Sequence, residues 1–345
     1  MKNDYNVSGV LNYIQLEKFC KRFNFLPNQI IANFDGWRKL VLYTEELIFL
    51  FPRDPRGIEW LEKEALAYEI LETNDNLPVP KLIERVSDKE ISYYDFIVVT
   101  RMKGSSYTKF ENEVEIQDVR KMLHNITQII PLWHKLALDE EEIKKLEVPQ
   151  KKSKNIGVDN WAQVVLVPKQ VENAVLYFQG VLEYWGKRFN FHSTNLLTSK
   201  DILLRWTACL SEIANLKPVF VHGDIHEDQI LIESKESMTI TGIIDWETVK
   251  FSNPVWDFDF GEWGLKIWEW REFFSELRRE MWEIYLEKRE IKLESLEGLD
   301  LFYTMSELLW VIRTPEKEYF PITGLNYEDS ILYYLEKLVK ISEKM

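Results

Sequence analysis

The stretch from Val219 to Asp259 constrains this chain more than any other. An apolar run, Val219-Phe220-Val221, stops at His222-Gly223-Asp224. After a polar loop come Ile230-Leu231-Ile232, a polar turn over 234–237, and a second apolar run, Ile240–Ile244, which ends on Asp245. Short aliphatic runs bounded by Gly, Asp and Ser read as strands, and the last two, joined by a polar turn, read as a hairpin. Asp224 and Asp245 then sit at strand ends, 21 residues apart. Buried strands that present acids at their ends present them to a site, whereas plain turn aspartates need no such patterned string around them.

Composition narrows what that site can serve. The chain has 345 residues, 46% hydrophobic and 29% charged, enough for a large core in two lobes. Its 43 basic and 57 acidic residues leave a net charge of −14, which argues against nucleic acid as a partner, because phosphate backbones need a basic face. A cationic ligand suits that charge. Cys20 and Cys209 are two and far apart, which fits a reducing compartment and forms no metal-ligand cluster. The N-terminal MKNDYNVSGV has no signal-peptide core and no apolar run approaches membrane-spanning length, so no membrane partner and a cytoplasmic location are expected. Oligomeric state leaves no trace.

Residues 9–24 carry apolar side chains at helical spacing, with Ser8 as the expected N-cap. A strand follows at 30–33, entering a turn through Trp37. The runs Lys39–Tyr43 and Leu47–Phe51 flank Thr44-Glu45-Glu46, the pattern of an antiparallel hairpin. Pro52 ends the second strand, and 57–73 is a helix. Ile91–Met102 supplies more strand, and Lys103-Gly104-Ser105-Ser106 reads as a linker. Beyond it the chain turns helical at 114–138, 161–188, 201–215, 258–290, 295–312 and 327–344, with the charged run 139–160 read as a surface loop. The expectation is an α+β chain with a β-rich lobe, 1–102, and a mainly helical lobe, 103–345, centred on the acidic hairpin.

Asp224 lies at a strand end, after a glycine and beside His222 and His226. A carboxylate so placed can orient a hydroxyl and take its proton as the hydroxyl attacks phosphorus. Asp245 can hold a divalent cation through oxygen, and Gln229 offers a neutral amide oxygen between them. The two histidines lie on a loop with no third ligand at helical spacing, which argues against zinc, and His222 reads as a residue that fixes the backbone.

With Gly242-Ile243-Ile244-Asp245-Trp246 and Ser252-Asn253-Pro254-Val255-Trp256-Asp257, the string His222–Ile232 resembles the aminoglycoside phosphotransferase family, which comprises antibiotic and small-molecule kinases with a protein-kinase-like fold. The spacing is most similar to the macrolide and 2″-aminoglycoside branches. Leu47–Arg53 with Ile58–Leu71 resembles the family's strand, FPR turn and first helix; Phe96–Gly104 resembles its hinge, and Trp133-His134-Lys135-Leu136 its LHxL helix. The resemblance covers about residues 30–260. It implies a two-lobe kinase-like fold, ATP or GTP as phosphate donor, Mg2+, and a small-molecule hydroxyl acceptor. It implies Asp224 as catalytic base, Asp245 and Gln229 as metal ligands, Thr100 and Met102 as base-reading hinge residues, Glu64 as the helix partner of a phosphate-binding cation, and Asp257 as structural.

Two positions depart from the pattern. Gln229 stands where many members have asparagine; it is one methylene longer and keeps the oxygen. Leu50 stands where the strand should carry a phosphate-binding Lys or Arg, and it has no donor. Arg53 is close, but strand alternation points it away. Lys39 on the neighbouring strand, or Arg38, can substitute; the alternatives are a weak, magnesium-dominated site or a catalytically impaired binding or regulatory protein. The stretch 257–276 mixes Asp257, Asp259, Glu262, Glu269, Glu272 and Glu276 with Trp263, Trp268 and Trp270, which reads either as an acceptor site for a cationic ligand or as a solvated amphipathic helix.

Overall fold

The computed structural model describes residues 11–33, 38–110, 113–147, 156–226, 228–258, 267–314 and 326–345. Side chains at 108 and 267–272 lie outside the description, as do Ser8 and most of the acidic, tryptophan-rich stretch singled out above. The chain divides into two compact units, Met1–Leu146 with Phe220–Lys250, and Glu147–Val219 with Phe251–Met345.

The first unit opens with α1 (Tyr13–Phe23), which starts later than its apolar spacing suggests. Asn12 and Gln15 form a reciprocal capping box there, Gln15 N–H donating to Asn12 Oδ1 (3.0 Å) and Asn12 N–H to Gln15 Oε1 (2.8 Å). Strands β1 (Ile31–Asn33), β2 (Lys39–Tyr43), β3 (Leu47–Pro52), β4 (Leu82–Val86) and β5 (Phe96–Thr100) make an antiparallel sheet in the order β1-β2-β3-β5-β4. Alternation gives it two faces. Leu40, Leu42, Phe49 and Phe51 enter one core with Phe19 and Cys20 of α1. Pairing of Lys39 with Pro52 and of Val41 with Leu50 puts Lys39 and Leu50 together on the other face. Helix α2 (Pro55–Leu71) packs against β3, its start fixed by Asp54, whose carboxylate accepts from Arg56 N–H (2.8 Å) and Gly57 N–H (3.1 Å). Proline at the first helical position costs nothing, since that N–H lacks an intrahelical acceptor anyway.

The segment expected as a linker is strand β6 (Ser105–Ser106). Strand β7 (Val219–Val221) leads into the polar loop, and β8 (Ile230–Ile232) pairs with β9 (Ile240–Ile243) as the expected hairpin. β6 adds to its edge, giving the order β6-β8-β9, so the proposed lobe boundary at 102/103 falls inside the first contact unit. Gly104 permits that approach: its φ is +97°, and a Cβ there would meet the Ile232 carbonyl oxygen at 2.6 Å and the Thr241 hydroxyl. Helix α3 (Ile116–His134) braces the hairpin through Asn125 Nδ2–H to the Met238 carbonyl (2.7 Å) and an edge-on contact of Trp133 with Trp246 (5.4 Å, 85°). The charged run beyond it holds a helix, α4 (Glu140–Leu146), because Asp139 and Glu142 form a second capping pair.

The second unit is mainly helical, with α5 (Trp161–Val165), α6 (Val171–Arg188), α7 (Thr194–Leu197), α8 (Lys200–Ala214), α9 (Ile267–Arg289), α10 (Glu297–Arg313) and α11 (Tyr327–Lys344). A short strand, β10 (Lys250–Ser252), spans the division between the units. The single helix expected at 161–188 is two helices, interrupted at Pro168. Buried Trp161, Trp206, Trp282 and Tyr334 dominate this core. Asp257 is fully buried here, and Glu276 is exposed. Among the described residues, no helix is long and apolar enough to cross a membrane.

Candidate active site

The site grows from the turn that follows β9. Asp245 adopts a left-handed backbone (φ 66°, ψ 55°) and caps a single 3-10 turn, Trp246–Thr248. A non-glycine residue there carries a steric penalty of roughly 1–2 kcal/mol, which persists where surrounding contacts over-determine the conformation. Trp246 supplies part of that: its indole is buried, donates to the Ile243 carbonyl (3.0 Å) and stacks on Phe220. The conformation leaves the Asp245 side chain 36% exposed, while Glu64 of α2 is closed off.

Lys39 joins these two carboxylates. Its Nζ lies 2.5 Å from Glu64 Oε2, 2.6 Å from Asp245 Oδ1 and 3.1 Å from Glu247 Oε2. Burial opposes the charge on Lys39, but the three carboxylates outweigh it and hold its pKa above that of ordinary lysine. Burial, helped by the nearby Asp245 charge, raises the Glu64 pKa despite Lys39. For Asp245, burial is outweighed by Lys39, His222 and a Gln229 hydrogen bond, so its pKa falls. Glu64 Oε1 also accepts from the buried Tyr68 hydroxyl (2.8 Å). Both Glu64 oxygens are therefore engaged, and this carboxylate acts as an anchor for the lysine.

Glu64 thus has a cation, and it comes from β2. Leu50 is buried on the same sheet face, two residues along the adjacent strand from the residue that pairs with Lys39. Arg38 does not reach Glu64; it pairs with Glu247 Oε1 (2.7 Å) and stacks on Trp60 (4.1 Å). Arg53 is exposed and directs Nε to the Lys39 carbonyl (3.2 Å), in keeping with its expected orientation away from the site. Glu247, Tyr68 and Trp60 were not singled out from the sequence. The Asp-x-Glu spacing at 245–247 was the available signal for Glu247.

Gln229 is buried, and its amide is one of the groups that lower the Asp245 pKa. Its Oε1 accepts from His226 N–H (3.2 Å), and its Nε2 lies 2.5 Å from His226 Nε2, so His226 holds the amide in place. His222 is buried and donates from Nε2 to the Ile244 carbonyl (3.0 Å), bridging the two acid-bearing loops as a backbone-fixing residue would. The Thr248 hydroxyl donates to the His222 carbonyl (2.8 Å). Gly223 has φ +82° and no room for a Cβ beside the Thr248 carbonyl (3.0 Å). This turn delivers Asp224 with its side chain exposed.

At the hinge positions, the Thr100 N–H donates to the Lys81 carbonyl (2.9 Å), and its hydroxyl accepts from Lys81 N–H (2.9 Å). The main chain of Met102 takes no hydrogen-bond partner among the described residues. Met102 packs against Gly242 of β9, where a Cβ would come within 2.9 Å of it.

The profile of the phosphotransferase enzyme family matches residues 32–299. No curated protein sequence matches the chain. Among solved structures, the GDP complex of a mutant aminoglycoside 2′-phosphotransferase-IIIa superposes with a TM-score of 0.55 at 14% identity, covering 96% of this chain and 98% of that one. The GDP and kanamycin complex of APH(2″)-IIIa gives 0.52 at 13% identity over 94% and 99% of the chains. ADP-bound APH(2″)-Ib gives 0.51 at 12% identity over 96% and 99%. At such identities the likeness shows the fold, which is that of kinase-like aminoglycoside phosphotransferases.

Proposed function

The chain belongs to the phosphotransferase enzyme family, and on that premise we propose that it moves the γ-phosphate of ATP or GTP directly to a hydroxyl of a small, antibiotic-like acceptor. The observation that carries this reading is the Lys39–Glu64–Asp245 contact, which supports Lys39 as the phosphate-binding cation that Leu50 cannot supply. Lys39 would neutralise donor phosphate oxygens, held in place by Glu64. Asp224, exposed on its glycine turn, would orient the acceptor hydroxyl and take its proton as the O–P bond forms and the diphosphate leaves. Met102, whose main-chain groups are free of partners among the described residues, would read the purine, with Thr100 shaping the hinge beside it.

The residues present fit magnesium. Asp245 is partly exposed, lies beside the amide of Gln229, and offers hard oxygen, the donor type that cation takes. Bound magnesium would neutralise charge on the transferred phosphate. Asp245 and Gln229 would hold it, with Lys39 staying on Glu64.

An aminoglycoside is the first acceptor to test, since its amino groups suit a chain of net charge −14 and structurally similar proteins carry that name. A macrolide is the second. A functional division into lobes 1–102 and 103–345, and a cytoplasmic location, are proposed with it. The rival reading, an impaired binding protein, rests on Leu50, and the Lys39–Glu64 pair speaks against it.

The test has two stages. Thermal stabilisation by ATP and by GTP is measured with and without Mg2+; no shift with either nucleotide at millimolar concentration counts against the kinase reading. Acceptors are then screened with both nucleotides for a mass gain of one phosphate.

A further inference from the structure

We propose that Lys63 is a positioning residue for both catalytic aspartates, a role that rests on the phosphotransfer reading above. Lys63 is buried, 8% exposed, on the face of α2 that also carries Trp60 and Glu64. Its Nζ donates to the carbonyl of Val249 at 3.1 Å, and the Trp60 ring lies 5.9 Å away. Among the described residues, no carboxylate pairs with it. A buried ammonium without a counter-charge is an expensive way to fill space, and burial pushes its pKa down to about 8. Helix packing alone would be better served by an apolar side chain of the same length.

What the ammonium holds explains its presence. Val249 closes the 3-10 turn that Asp245 opens in its left-handed conformation. Consecutive residues of α2 therefore grip both ends of that turn, Glu64 through Lys39 to Asp245 and Lys63 directly to Val249. The turn in its own right holds the second acid, because the Thr248 hydroxyl donates to the carbonyl of His222, two residues before Asp224. A charge-assisted bond to one carbonyl thus fixes the turn that orients Asp245 and, through Thr248, the loop that delivers Asp224. Strained backbone of this kind survives only where several contacts agree on it.

The test compares Lys63→Met and Lys63→Arg with the wild-type chain. Lys63→Met keeps the stem and deletes the donor; Lys63→Arg restores a donor. Amide hydrogen exchange of nucleotide-free protein is measured over residues 245–250, a readout that needs no activity. Lys63→Met is expected to exchange about 10-fold faster there, to keep or raise its melting temperature, and to need several-fold more Mg2+ for half-maximal turnover, with partial recovery in Lys63→Arg. Unchanged exchange in 245–250 would overturn the proposal. So would a loss of turnover that merely tracks a fall in melting temperature. A wild-type chain that binds no nucleotide would sink the kinase reading while leaving the exchange result to decide the tether.

Discussion

Lys39 Nζ sits 2.5 Å from Glu64 Oε2, although Lys39 belongs to β2 and the strand beside α2 carries leucine at the expected place. The antiparallel register makes this workable. Lys39 pairs with Pro52, Leu50 pairs with Val41, and all four side chains share the face that α2 covers. A four-carbon stem spans the extra distance between strands. Glu64 is thus reached by a cation from β2, whose position is set by the helix and turn it contacts.

Lys39→Met should abolish transfer, by about 100-fold or more, since the charge on the phosphates would go unanswered. It should also destabilise the fold by roughly 3–5 kcal/mol, because Glu64 would be left buried without its cation. Adding Leu50→Lys to Lys39→Met should recover part of both losses. Turnover and urea midpoints of the single and double variants check this; a double variant no better than the single one would mean that position 50 cannot reach Glu64.

Asp224→Asn should lower turnover by about 100-fold or more while leaving the nucleotide-induced thermal shift unchanged. Asparagine keeps the shape and the exposed position on the Gly223 turn but cannot accept the acceptor's proton. Product formed at the wild-type rate would remove Asp224 from the role of base.

The hairpin, with Asp245 after it, and the turn that carries Asp224 were legible because short apolar runs ending in Gly and Asp have few alternatives. Helix α11 was legible for a similar local reason, a clean amphipathic period. Lys39 was harder. Its neighbours in sequence give it a strand, but only the pairing with Pro52 and the approach of α2 bring it to Glu64. Lys63 was invisible for the same reason, since Val249 is 186 residues away. The missed helix α4 is a different case. Asp139 and Glu142 spell a capping pair, and the density of charge hid it.

Gly104→Ala should cost about 1–2 kcal/mol or more, because φ of +97° is poorly tolerated by a side chain and the Cβ would press on the Ile232 carbonyl. Gly104 lies two residues past Met102, so the displaced β6 should also disturb the hinge. A raised KM for the nucleotide with an unchanged KM for the acceptor is the expected pattern. Equal rises in both would place the damage elsewhere.

Lys63 gives the chain a stability term that depends on pH. Its folded pKa, about 8, lies below the ordinary lysine value of 10.5. A base depressed on folding binds fewer protons in the native state, so between those two values the unfolded chain holds more protons and native stability rises with pH. Below about pH 8 the full penalty of the buried charge applies, at most roughly 3.5 kcal/mol for a shift of this size. Among the described residues, the groups facing Lys63 are the Trp60 ring and the Val249 carbonyl, neither of which titrates, while neighbouring Glu64 is held by Lys39 and Tyr68. Lys63→Met carries no such term. Urea midpoints of the two proteins, taken from neutral pH to about pH 10, should therefore show Lys63→Met at its greatest advantage near neutrality and that advantage shrinking as pH rises. Other lysines and tyrosines titrate in both proteins and drop out of the difference. A gap that stays constant across the window would mean that the Lys63 ammonium is not penalised by its burial.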